Sequence, residues 1–171
     1  MGSRQNATSL GKIRRDHVER YRFADLIAGA RVLDAACGVG YGTQIVAAGR
    51  VAVGVDYDAG AIATARKTYH AGVQDFICGD ILDAPWGDDR FDTVLSFETL
   101  EHMGDPARAL ARFRASLCAG GRVIVSVPNE NVILFRREDF TVDDSPHHRH
   151  YTPDQARGEV VPYCWTVWRR S

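Results

Sequence analysis

Five short apolar segments recur along the chain with helical patterns between most of them, and this alternation limits the folds that the chain can adopt. The segments are RVLDAA (31–36), VAVGVD (51–56), VQDFICGD (73–80), FDTVLSFE (91–98) and RVIVSVP (122–128). Nearly continuous apolar runs of this length are typical of strands buried on both faces of a sheet. The sequence therefore predicts an α/β fold with a doubly wound, mainly parallel sheet and helices on both faces.

The helical segments carry start and stop signals. They cover 12–28, 41–49, 59–70 and a stretch that starts at the capping Asp105 and Pro106 and ends at Gly120-Gly121. With 171 residues the chain is expected to form one domain, because that length supports one core. We interpret residues 1–29 as a helical lead-in and residues 30–171 as the domain itself.

Charge and composition exclude several classes of function. The chain has 21 basic and 22 acidic residues, so no basic field is available to hold nucleic acid. No apolar run approaches the roughly 20 residues that span a bilayer, and the N-terminus lacks the apolar core of a signal peptide. The four cysteines are scattered without a C-x-x-C pair. We therefore expect a cytoplasmic protein with reduced thiols, without a membrane or nucleic-acid partner.

A glycine-dense loop follows the first predicted strand. Gly38, Gly40 and Gly42 permit backbone angles and close approaches that other residues resist. Ligands of open α/β sheets bind beyond the carboxyl ends of the strands, and this loop lies at such an end. A nucleotide-like ligand is one interpretation of the loop, and a purely structural tight turn is the other.

Three aspartates stand at the ends of consecutive predicted strands. Asp34 precedes the glycine loop, where it would repel a pyrophosphate and attract a cationic ligand. Asp56 is placed to accept hydrogen bonds from a ribose diol, and Asp80 to accept one from an adenine amine. Each alone has the alternative of a solvated loop acid. A dinucleotide is the competing ligand, but its G-x-G-x-x-G fingerprint has Thr43 in place of the last glycine.

Four motifs, VLDAACGVGYG, GVDYD, ICGDI and SFETLEH, occur in an order and spacing that resemble class I S-adenosylmethionine-dependent methyltransferases. The small-molecule branch, which includes ubiquinone-pathway and sugar or natural-product methyltransferases, is the most similar. The resemblance covers residues 12–155 and includes HVERYRFA, which is similar to the family's lead-in helix. It implies a Rossmann-like fold, S-adenosyl-L-methionine as cofactor, and methyl transfer to a hydroxyl or amine of a small molecule.

The resemblance also assigns roles to residues of the cofactor site. Asp34, Gly38 and Gly40 would cradle the methionine portion, with Ala36 in the same loop, and Asp56 would hold the ribose. The remaining contacts would come from Tyr57 beside the adenine, from Asp80 and the Ile81 backbone at the adenine amine, and from Phe97 and Glu98 at the methyl-transfer cleft.

Two histidines are candidates for a general base. His102 follows the fourth strand, and histidine is the residue that most often acts as a general base, although His102 is also placed to cap the loop before Asp105. His147 lies in HHRHY, which fits an H-x-R-x-Y pattern of relatives, with Arg149 and Tyr151 as positioning residues. Residues 129–151 would then form a lid over the acceptor. A solvated loop is the alternative, and histidines crowded this closely do not predict a metal site.

The C-terminal segment departs from the family pattern, which continues with a helix and two further strands. The residues EVVPYCWTVWRRS are too few for that hairpin. At most YCWTVWRR supplies one edge strand; otherwise the fifth strand is exposed and favours a homodimer. A cofactor-binding protein without turnover, either a partner subunit or a degenerate remnant, is therefore the alternative to an active enzyme.

Overall fold

The computed structural model describes residues 13, 15–69, 73–127 and 166–169, with the backbone alone for 74 and 166–169. The elements are α1 (Arg15–Ile27), β1 (Arg31–Ala35), α2 (Tyr41–Val46), β2 (Val51–Asp56), α3 (Ala59–Thr68), β3 (Val73–Cys78), β4 (Phe91–Phe97), a 3₁₀ turn (Leu100–His102), α4 (Pro106–Ser116), β5 (Leu117–Ser126) and β6 (Thr166–Arg169).

The strands form one sheet in the order β3-β2-β1-β4-β5-β6. Strands β1 to β5 pair in parallel, and β6 pairs with β5 in antiparallel orientation. The order reverses between β1 and β4, which is the switch point at which open α/β sheets bind ligands. The predicted doubly wound, mainly parallel sheet is therefore confirmed.

Alternate residues of the central strands enter two core layers. On β1, Val32 packs in the layer that contains Tyr21 of α1 and Val46 of α2. Leu33 faces the opposite layer, with Phe113 of α4. Because both faces of the sheet are covered, these strands are apolar at nearly every position, and this explains why they were recognisable as continuous runs.

The boundary between α4 and β5 differs from the prediction. The helix ends at Ser116, and Gly120-Gly121 lies within β5 rather than at the helix end. Leu117 is buried and pairs with Phe91, and the register shifts before the next pairs are made. Burial of Leu117 in the sheet thus stops the helix before the glycines are reached.

The C-terminal edge strand is present. Residues 166–169 lie within the predicted YCWTVWRR segment and pair with residues 122–125 of β5. The alternative of an uncovered fifth strand is therefore wrong, because β6 occupies that edge. Within the described ranges, no helix is both long and apolar enough to cross a membrane.

Candidate functional site

Strained backbone marks the strand ends on both sides of the switch point. Ala36 follows β1 with φ 68°, and Glu98 follows β4 with φ 52°. Left-handed backbone is uncommon for residues other than glycine, and where it persists it often marks a functional site. Two of the three such residues in the described chain therefore lie at the carboxyl ends of β1 and β4, where we place the candidate site; the third, Asp89 with φ 50°, precedes β4.

The glycine loop needs its glycines for two different reasons. Gly40 has φ +84°, and a Cβ there would lie 2.7 Å from the Phe76 ring, so only glycine packs against the core. Gly38 has φ +55°, and a Cβ there would meet nothing within 4 Å. The loop is thus anchored at Gly40 and leaves open space for a ligand beside Gly38.

Asp34 lies buried beneath this loop. Its Oδ1 accepts a hydrogen bond from the Tyr21 hydroxyl at 3.1 Å, and its Oδ2 accepts one from the Thr43 hydroxyl at 2.7 Å. Burial raises the pKa of the Asp34 carboxyl to about 6; the bonds from Thr43 and Tyr21 oppose this rise, and the nearby Asp56 adds to it. The carboxylate therefore joins α1 and α2 to β1 and supports the loop from below.

Asp56 connects the loop to the second strand. Its Oδ2 accepts a hydrogen bond from the Gly38 backbone N–H at 2.8 Å, and its Oδ1 accepts one from the Asp58 N–H at 2.9 Å. A carboxylate oxygen has two lone pairs, so each keeps the capacity to accept a ligand hydroxyl. The position at the end of β2 agrees with the ribose contact that the sequence predicts.

The residues predicted to contact adenine lie at the ends of β2 and β3. Tyr57 is 67% exposed, and Ile81 is buried. Asp80 is exposed, and its Oδ1 accepts a hydrogen bond from the Leu82 N–H at 2.8 Å. The Gly79 N–H donates to the Asp56 carbonyl at 2.9 Å, which holds the two strand ends together. The three aspartates thus lie at or just beyond the carboxyl ends of three neighbouring strands.

Aromatic rings of α1, α2 and β4 pack together next to Asp34. Tyr21 contacts Phe97 edge to face at 4.9 Å between ring centroids, and Tyr41 at 5.6 Å. Phe97 is 9% exposed, so its ring belongs to the core layer under α1. Tyr21 is a residue of the candidate site that the sequence predicted only as part of the first helix.

In the 3₁₀ turn after β4, the His102 side chain is exposed and the Glu101 side chain is buried. The His102 side chain is 44% exposed, and its Nε2 lies 3.9 Å from Glu101 Oε1. The carboxyl oxygens of Glu101 are buried without a hydrogen-bond donor among the described residues. Burial first, and the charge of Glu98 second, raise the pKa of Glu101 to about 8, although its own backbone N–H and the charge of Arg20 oppose the rise.

Helix α1 brings a cation to the same strand end. Arg20 Nη1 lies 3.4 Å from Glu98 Oε1, and its Nη2 lies 3.5 Å from Asp16 Oδ2. The Ser126 hydroxyl donates to Glu98 Oε1 at 2.9 Å. No pattern in the sequence predicted this cluster, because its members come from α1, β4 and β5.

The comparison with known families decides the identity of the fold. Residues 33–125, from β1 to the end of β5, match the family model described as a methyltransferase domain. The chain belongs to this family. The matched range contains the strand ends and the loop described above, whereas Tyr21 and Arg20 of α1 precede it.

Relatives of the methyltransferase domain agree with this assignment. A probable S-adenosylmethionine-dependent methyltransferase of Mycolicibacterium smegmatis is 36% identical over 68% of this chain and 45% of the relative. A ubiquinone biosynthesis O-methyltransferase of Bradyrhizobium is 36% identical over 61% of this chain and 42% of the relative. The expectation of a class I methyltransferase, whose cofactor is S-adenosyl-L-methionine, is thereby confirmed.

A solved structure gives the same result for the fold. Phosphoethanolamine N-methyltransferase 2 of Haemonchus contortus, in complex with S-adenosyl-L-methionine, is 27% identical with a TM-score of 0.58. The match covers 71% of this chain and 29% of that protein. The chain thus spans less than half the length of each of these three proteins.

Some predicted site residues of the methyltransferase domain lie outside the described residues. These are His147, Arg149 and Tyr151, together with the predicted lid over 129–151. Across the ranges that the structure describes, no three histidine, cysteine, aspartate or glutamate side chains group in a way that would hold a metal ion.

Proposed function

We propose that this methyltransferase domain binds S-adenosyl-L-methionine at the carboxyl ends of β1, β2 and β3 and transfers its methyl group to a hydroxyl or amine of a small molecule. The observation that carries the proposal is the bond from the Gly38 N–H to Asp56, above the buried Asp34. The Asp34 carboxylate lies below the loop and the Asp56 carboxylate lies beside it, with open space at Gly38. This arrangement suits a cationic amino-acid nucleoside better than a phosphate.

Each strand end contacts a different part of the ligand. Asp34 stabilises the loop from below, and its charge favours the ammonium and sulfonium groups above it. The methionine portion lies along Ala36, Gly38 and Gly40, and Asp56 accepts from the ribose hydroxyls. The adenine lies beside Tyr57, with its amine at Asp80 and the Ile81 backbone, and Phe97 supports the loop by packing against Tyr21.

The reaction depends chiefly on positioning. Bound S-adenosyl-L-methionine supplies a methyl group on a positively charged sulfur. The domain has to hold the acceptor atom in line with that methyl group and exclude water, and both effects accelerate displacement. We propose residues 30–171 as the catalytic domain, residues 1–29 as its helical lead-in and residues 129–151 as the lid over the acceptor.

A proton has to leave the acceptor when a hydroxyl or neutral amine is methylated. His102 is exposed next to the end of β4, and it is our first candidate for the group that carries this proton away. His147 is the second candidate. The ubiquinone O-methyltransferase among the relatives supports a hydroxyl of a small molecule as acceptor.

Calorimetry with S-adenosyl-L-methionine and S-adenosylhomocysteine tests the cofactor, and transfer of a labelled methyl group to small phenols and amines tests the activity. We expect both ligands to bind at one site per chain. Absence of binding to the folded protein would refute the proposal. Tight binding without transfer to any acceptor would support the alternative of a cofactor-binding protein without turnover.

A further inference from the structure

Glu101 is a buried carboxyl group for which the described residues provide no hydrogen-bond donor. We propose that Glu101 accepts a hydrogen bond from the O–H or N–H of the methyl acceptor and receives its proton during methyl transfer. This inference rests on the proposed function. It identifies Glu101 as the residue that selects acceptors with a transferable proton.

The burial of Glu101 requires an explanation. Its side chain is 1% exposed, and both carboxyl oxygens are without a donor in the described part of the chain. A buried polar group that lacks a partner costs free energy, so such groups are rare unless a ligand supplies the partner. Glu101 follows β4 at the switch point, where ligands of this sheet type bind. An acceptor that donates an O–H or N–H would satisfy it.

The charged groups around Glu101 do not neutralise it. Glu98, at the end of β4, adds negative charge, and Arg20 and Asp16 face the site from α1. Arg20 divides its charge between Glu98 and Asp16, at 3.4 Å and 3.5 Å. His102, on the same turn as Glu101, has its Nε2 3.9 Å from Oε1.

The environment gives Glu101 the strength of base that the reaction needs. Its pKa is raised to about 8 by burial and by Glu98. An ordinary carboxylate is a weak base at neutral pH, whereas a group that titrates near the working pH is an efficient one. The raised pKa therefore agrees with the role that the geometry indicates.

Methyl transfer forms one bond and breaks another while a proton leaves the acceptor. A lone pair of the acceptor oxygen or nitrogen forms the new bond to the methyl carbon, and the bond from that carbon to sulfur breaks. The electron pair of the broken bond stays on sulfur, which becomes a neutral thioether. The acceptor proton moves to the ionised Glu101 carboxylate, and His102, which is exposed, passes it to solvent. Glu101 therefore receives the proton from the acceptor, and His102 releases that proton to solvent.

The first test observes the Glu101 carboxyl directly. Protein labelled with ¹³C at the glutamate carboxyl carbon is loaded with S-adenosylhomocysteine, and the Glu101 signal is assigned as the one lost in Glu101→Gln. Phenol and benzylamine, which carry donors, are then compared with anisole, which has none. We expect at least one donor probe to shift the Glu101 signal and anisole to leave it unchanged. If neither donor probe shifts it, or if Glu101 titrates as an ordinary carboxyl, the inference is wrong.

The second test measures labelled methyl transfer to phenol and benzylamine. Glu101→Gln should lower the rate by about 100-fold or more, with unchanged affinity for S-adenosyl-L-methionine, and it should abolish the rise of the rate with pH. Glu101→Asp, which keeps a carboxyl, should retain part of the rate. The matched control is Glu19→Gln on the exposed face of α1, which should behave as wild type.

The outcomes separate this inference from the proposed function. If the wild-type protein does not bind S-adenosyl-L-methionine, the proposed function fails. If it binds the cofactor and Glu101→Gln transfers methyl groups as fast as wild type, the role of Glu101 alone is refuted. If Glu101→Gln does not fold, the Glu101 signal is identified as the glutamate signal that is present in wild type and absent in Glu101→Asp. The titration of that signal in wild type then decides the question.

Discussion

At the scale of single residues, two buried carboxyl groups show how hydrogen-bond donors determine the state of an acid. Asp34 receives bonds from two hydroxyl groups, and its pKa rises only to about 6. Glu101 receives none from the side chains of the described residues and lies near the charge of Glu98, and its pKa rises to about 8. Asp34 is therefore ionised at neutral pH and can attract a cation, whereas Glu101 is largely protonated until the pH exceeds its pKa.

Glu101 should make the stability of the protein depend on pH. Its pKa is about 8 in the folded protein, against 4.5 for an unperturbed glutamate, so the folded state keeps a proton that the unfolded state releases. Stability is therefore lost as the pH rises through this window. Glu101→Gln removes this pH dependence. As the pH rises to alkaline values, we expect the free energy of unfolding of the variant to increase by about 2–4 kcal/mol relative to that of wild type. Urea unfolding across the window measures this, and a difference that stays constant with pH would contradict it.

Asp56→Ala should weaken the binding of S-adenosyl-L-methionine by about 1–3 kcal/mol, because the ribose diol loses its acceptor. The variant also frees the Gly38 N–H, so its fold has to be verified by circular dichroism. Calorimetry measures the affinity, and Asp88→Ala, which changes an exposed partner of Arg112, is the control. An unchanged affinity in the folded variant would remove Asp56 from the site.

His102→Ala and His147→Ala should each lower turnover while cofactor affinity stays nearly unchanged. General bases typically contribute about 10²–10⁴-fold to the rate, which sets the upper limit of the expected loss. Steady-state rates together with calorimetry separate the two effects. If both variants work at the full rate, neither histidine carries the proton.

At the scale of elements, α1 contributes to the proposed cofactor site as well as covering the sheet. Its Tyr21 donates to Asp34, packs on Phe97 and lies directly against Gly42 of α2. A residue larger than glycine at position 42 would overlap the Tyr21 ring. The spacing between α1 and the loop is therefore set by the absence of a side chain in α2.

Gly42→Ala should destabilise the protein by about 1–3 kcal/mol through overpacking against Tyr21. It should also weaken cofactor binding, because Tyr21 would be displaced from Asp34. Gly104→Ala is the matched control, since a Cβ there meets nothing within 4 Å. Thermal unfolding and calorimetry test both effects, and equal stability of the two variants would show that α1 adjusts without cost.

At the scale of the whole molecule, β6 closes one edge of the sheet. Its four residues pair with β5 in antiparallel orientation, next to strands that are all parallel. An exposed edge strand is a template for pairing with another chain. The segment after β5 therefore covers backbone that would otherwise favour the predicted homodimer.

Deletion of residues 166–171 should increase self-association and lower the stability by about 2–4 kcal/mol, because net hydrogen bonds of about 1 kcal/mol each are lost. Sedimentation velocity over a range of concentrations measures association, and urea unfolding measures stability. Deletion of 170–171 alone leaves β6 intact and is the control. A monomeric deletion variant of full stability would show that β6 contributes little.

The sequence by itself determined the order of strands and helices, the parallel sheet, and the position of Asp34, Asp56 and Asp80 at neighbouring strand ends. These features follow from local patterns, because continuous apolar runs and glycine loops reflect burial and backbone angles along one stretch of chain. Only the tertiary structure decided where β5 begins, what β6 pairs with, which hydroxyl groups hold Asp34, and that Glu101 is buried without a donor. Those features depend on contacts between residues far apart in the chain, and such contacts leave no periodic signal in a single sequence.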